Sequence, residues 1–60
     1  METITHSSTG QQALVPSKTV TGLRKMGAKG VTALDTLVSD AHNQHPVAQA
    51  VTKAVGVKAV

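Results

Sequence analysis

The sequence predicts a small all-α fold, and three observations carry that reading. Leu34, Leu37, Val38 and Ala41 recur at helical spacing. Pro46 heads a second apolar series, Val47, Val51, Ala54 and Val55. Ser7 to Gln12 show neither a helical nor a strand period. The expected architecture is a helical hairpin over about 33–43 and 46–55, with a third short helix over about 18–26. An extended N-terminal arm and an extended C-terminal tail complete it, so that residues 1–16 form a polar arm and 17–60 a small helical domain.

In the arm, only Met1 and Ile4 offer apolar surface before Ala13, and the Ser, Thr, Gln and Gly between them suit a flexible segment. Pro16 biases Val15 toward an extended backbone, so Leu14 and Val15 read as a short anchor. Ser17 is placed to cap a helix in which Val20, Leu23 and Gly27 share a face. Against that helix stand the β-branched Thr19, Val20 and Thr21 and the helix-weakening Gly22, so 19–23 also suits an extended strand. Gly27 and Gly30 are expected to end whatever forms there.

Thr32 followed by Asp35 is an acidic variant of the capping box, ahead of the stripe Leu34, Leu37, Val38, Ala41. Asp35, Thr36, Ser39, Asp40 and Asn43 fall off that stripe. His42 to His45 read as a turn, and Gly56 closes the second helix. Continued helical phasing would put Lys58 inside the apolar stripe, so Val57 to Val60 are expected to be extended.

Composition limits what such a chain can do. It has no Phe, Tyr, Trp or Cys, so neither ring burial nor disulfides nor Cys-ligated zinc can supplement a very small core. The apolar inventory is 16 large aliphatic or Met side chains and eight Ala. That is little surface to set against the conformational entropy of ordering the chain, and the expectation is a protein completed by contact with neighbours. The longest apolar run, Ala13-Leu14-Val15, is far short of the roughly 18 residues that cross a bilayer. The start of the chain lacks a basic, then apolar, leader. A cytoplasmic protein, or one packaged into a particle assembled there, is expected.

Charge is unevenly divided. Residues 17–30 hold Lys18, Arg24, Lys25 and Lys29 with no acid, whereas 31–46 hold Asp35 and Asp40, and 47–60 hold Lys53 and Lys58. The four cations of 17–30 are candidate contacts for phosphates or for an acidic protein surface, against the plainer reading of a solvated linker. A net charge of +3 is modest for a dedicated nucleic-acid binder, and no ring is present to stack on a base. Gly22 to Lys29 superficially suggest a phosphate loop, but Ala28 separates Gly27 from Lys29 and Gly30 follows, so the pattern fails.

Asp40, His42 and His45 are the nearest thing to a metal set, yet they leave a tetrahedral site one ligand short unless His6 or another chain contributes. Turn and helix-end roles account for them better, and no metal or cofactor is assigned. Catalysis is not expected either, because so small a core cannot easily enclose a dry pocket around a Ser or Thr nucleophile. A membrane-surface helix over 46–55 lacks bulky interfacial anchors.

The favoured expectation is a structural or interaction protein that docks onto a larger protein assembly, or forms a homo-oligomer. Leu34, Leu37, Val38, Val47, Val51, Val55, Val57 and Val60 are its candidate interface residues. Size and an Ala, Val, Thr and Gly-rich composition suit a minor virion component such as a phage cement or tail-associated protein. The alternatives are a small basic nucleic-acid-associated protein acting through Lys18, Arg24, Lys25 and Lys29, and a regulatory inhibitor that folds on a protein partner.

Overall fold

Ile4 is the residue that turns the N-terminal segment from an arm into a strand. The computed structural model describes all of residues 1–60, and in it Glu2–Thr5 form β1, with Ile4 buried and Thr3 and Thr5 exposed on either side. The next strand, β2 (Gln12–Val15), alternates in the same way, burying Ala13 and Val15. The two pair antiparallel, with Thr3 opposite Leu14 and Ile4 opposite Ala13. Three successive β-branched residues, Thr3, Ile4 and Thr5, suit such a pleated, half-buried surface.

The hairpin loop is organised by a side chain. His6 N–H donates to the Gln11 carbonyl at 2.7 Å and Gly10 N–H to the His6 carbonyl at 3.0 Å. The Nδ1 atom of His6 accepts from the Ser8 and Thr9 N–H groups at 3.1 and 3.3 Å. Asp35, expected on a solvated helix face, holds the loop from outside, accepting from Ser7 Oγ at 2.8 Å and Ser7 N at 3.4 Å.

Three helices follow: α1 (Ser17–Arg24), α2 (Ala28–Ala41) and α3 (Pro46–Val55). Segment 17–24 is thus helical rather than extended, with Val20 fully buried. The hairpin's first helix is longer than the sequence suggests and begins before Gly30, not after it. Thr32 lies inside α2, where its Oγ1 donates to the Ala28 carbonyl at 3.1 Å instead of capping a helix start. Gly27 supplies the corner between α1 and α2 with φ +68°, a conformation that L side chains rarely adopt. Gly30 is buried because α1 crosses α2 there, with backbone in the place a Cβ would take.

The expected C-terminal tail is a strand as well. Lys58–Ala59 form β3, pairing antiparallel with β2 so that Ala13 faces Ala59 and Leu14 faces Lys58. Strand order is β1-β2-β3, with β2 in the centre. Both ends of the chain therefore lie on one central strand, and the all-α expectation, with its free arm and tail, is corrected to a mixed α/β fold. The physical reason is that short strands of four and two residues carry almost no periodic signal of their own.

The core is a cluster of Ile4, Ala13, Val15, Val20, Leu34, Val38 and Val57, with Leu23, Leu37, Ala41 and Val55 packed partly against it. Val15, Val20 and Val38 are fully buried, each contributing about 1.5–3 kcal/mol by leaving water. Every helix and strand but α3 and β3 places a residue in this cluster, and Val57, in the turn between them, reaches it too.

Candidate protein interface

The third helix is built to a fixed length by its caps. Asn43 Oδ1 accepts from His45 N–H at 2.9 Å, and His45 Nδ1 accepts from Val47 N–H at 3.2 Å. Pro46 occupies the first turn, where its missing donor costs nothing. Gln49 folds back so that its side-chain amide donates to the Asn43 carbonyl. At the other end Gly56 is left-handed, and the N–H groups of Gly56 and Val57 both reach the Thr52 carbonyl, at 2.8 and 2.9 Å.

The face that α3 turns inward is not the one its apolar spacing predicts. Ala48 and Thr52 are buried and Val55 is half-buried. The Thr52 hydroxyl donates to the Gln49 carbonyl at 3.1 Å, so its burial leaves no polar atom unpaired. Turned outward instead are Val47, 65% exposed, and Val51, 40% exposed, with Ala50 and Ala54 beside them. An apolar ridge thus runs the length of α3 on its solvent side.

Beside the ridge lies an open groove. One wall is the face of α3 bearing Pro46, Gln49, Ala50 and Lys53, and the other is the turn Gly56, Val57, Lys58. Lys53 and Lys58 are its only ionisable residues, and neither is in ion-pair range of an acid.

The candidate interface residues divide into two groups. Leu34, Val38 and Val57 are buried in the chain's own core, with Leu37 and Val55 packed partly against it. Val47, Val51 and Val60 are exposed and available to a neighbour. Val57 to Val60, expected above as an extended tail, run along the chain's own β2, with Val60 N–H donating to the Gln12 carbonyl at 3.2 Å.

The basic candidates are spread out rather than gathered. Lys18 lies on the outer side of α1, away from the buried Val20, and Lys25 follows the last residue of that helix, about two turns further on. Arg24 leans to Glu2, its guanidinium 3.6 Å from the carboxylate, and Lys29 begins α2. The metal candidates also diverge. His42 Nε2 lies 2.7 Å from the Gln12 carbonyl, which has no proton, so this nitrogen donates. His45 is committed to the Val47 amide, and no three His, Asp or Glu side chains gather as a metal set. No helix is long and apolar enough to cross a membrane.

Sequence reasoning missed Ala48 and Thr52, because hydropathy counts a threonine as polar even where its hydroxyl bonds its own helix. It missed the capping role of His45 as well, although Asn43 and Pro46 flanking that histidine are a readable cue. Comparison with family models, curated proteins and solved structures finds no match.

Proposed function

We propose that this chain is a small structural or interaction protein that docks onto a larger protein assembly through the outward face of α3. The observation that supports this is the Val47–Val51 ridge on a helix that adds no residue to the buried cluster. Exposed valines one turn apart, flanked by Ala50 and Ala54, present a surface that gains by being covered. The helix that carries them is capped at both ends, so little order has to be added on docking.

Within that reading, the chain's size and its Ala, Val, Thr and Gly-rich composition favour a minor virion component, such as a cement or tail-associated protein packaged into a particle. Nucleic-acid association is the lesser alternative. Its cations are dispersed over α1, the start of α2, α3 and β3, and Arg24 is engaged by Glu2. A phosphate-tracking surface would concentrate them on one side.

The test is co-sedimentation of the tagged protein in extracts of its native source. Wild type is expected in a large particle, and Val47→Asp with Val51→Ser is expected in the fractions of a free 6.1 kDa chain. Equal sedimentation of the two proteins, with the variant shown to be folded, would remove α3 as the docking face.

A further inference from the structure

The groove beside α3 has a sign, and the sign specifies its occupant. Its walls supply Pro46, Ala50 and Val57 as apolar contacts and Lys53 and Lys58 as charges, with no carboxylate among the lining residues. The three acids of the chain all lie elsewhere, Glu2 on β1 and Asp35 and Asp40 on α2. Both lysines are exposed and free of ion pairs. The groove is therefore a strip of uncompensated positive potential along an apolar floor, at the edge of the Val47–Val51 ridge.

We infer that this groove takes an acidic, aliphatic-bearing peptide segment of a partner protein, with carboxylates on Lys53 and Lys58 and aliphatic side chains over Ala50 and toward Val51. The inference rests on the docking function proposed for α3 and adds the chemistry of what docks. Charge complementarity selects the partner's sign and steers the encounter, while the apolar contacts supply most of the affinity.

Two other occupants fit less well. A second copy of this chain carries a net charge of +3, so it brings more like charge than acid to a groove lined by two lysines. A nucleic-acid strand would use the lysines but gains nothing from a Pro, Ala and Val floor, and finds no ring to stack on.

The experiment is fluorescence anisotropy with the full chain and two short labelled peptides, one built of Glu and Leu and the other with every Glu replaced by Gln. The Glu/Leu peptide is expected to bind more tightly and to weaken as salt is raised. The double variant Lys53→Gln, Lys58→Gln is expected to bind it about ten-fold more weakly, consistent with losing two exposed ion pairs. Lys18→Gln with Lys25→Gln, neither of which lines the groove, is expected to leave binding unchanged. Equal binding of the two peptides, or no effect of the Lys53 and Lys58 changes, would overturn the inference. So would a labelled DNA duplex that binds as tightly through the same two lysines, or self-association that those substitutions abolish. Docking of α3 fails separately: if Val47→Asp with Val51→Ser leaves particle sedimentation intact, that reading falls whatever the peptides do. If sedimentation is lost in that variant but unaffected by the lysine changes, only the acidic partner is excluded.

Discussion

A Cβ built on Gly30 would stand 1.5 Å from the carbonyl oxygen of Leu23. Helices α1 and α2 meet backbone to backbone at that point, and the absence of a side chain sets their distance.

Two substitutions to alanine should therefore move stability in opposite directions. Gly30→Ala improves helix propensity but drives a methyl into backbone that cannot step aside, so a loss of about 3 kcal/mol or more is expected. Gly22, in the interior of α1, has nothing within 4 Å of its would-be Cβ. Gly22→Ala should gain about 0.5–1 kcal/mol and raise the melting temperature by a few degrees. Thermal melts followed by circular dichroism decide the matter; similar effects at the two sites would refute the close crossing.

The outward valines should be dispensable for folding. Val47→Asp places an acid in the first turn of α3, where the helix dipole favours it, and should change stability by no more than about 0.5 kcal/mol. Val57→Ala, in contrast, removes two methyl groups from the buried cluster and should cost about 2 kcal/mol. Urea denaturation of the two variants gives the comparison, and a costly Val47→Asp would mean that α3 is turned the other way.

His45 is a serviceable cap where a better one is available. His45→Asp supplies an acceptor for the same amide and adds a negative charge to a first turn that has none. A gain of about 0.5 kcal/mol is expected, while His45→Ala should lose about 1 kcal/mol. Should alanine and histidine prove equivalent in urea titrations, the Val47 N–H to His45 bond contributes nothing.

Hydrogen exchange should rank the helices. Buried α2 residues Leu34 and Val38 belong to the central cluster, whereas α3 is held by Ala48, Thr52 and the half-buried Val55. Amides of α3 are expected to exchange faster than those of α2 in the free chain, and to slow when a partner covers the ridge. Uniform protection across α2 and α3 would show one cooperative unit instead.

Much of the helical part was legible in the sequence. Pro46 and Gly56 bracket α3, and the Leu34, Val38 spacing marks the buried stripe of α2. The start of α2 was hidden because Gly30 reads as a breaker, and only a neighbouring helix reveals why a glycine belongs inside one. The sheet was hidden for a different reason. Thr3-Ile4-Thr5 buries a single side chain, and the loop that returns it to β2 is organised by the His6 imidazole rather than by a familiar turn pair. At the candidate interface, the identity of the helix was readable but its rotation was not. Val47, Val51 and Val55 promise more burial than Ala48 and Thr52, yet the smaller pair lets α3 sit close to the body of the fold.

The placement of β2 between β1 and β3 has a consequence for the order of folding. Ala13 and Ala59 lie far apart in sequence, whereas β1 and β2 are joined by a short hairpin loop. Order within the sheet therefore follows loop length, the local pair closing at small entropic cost and the third strand only after all three helices have been laid between the partners. The last strand to dock is the one whose partner has waited longest.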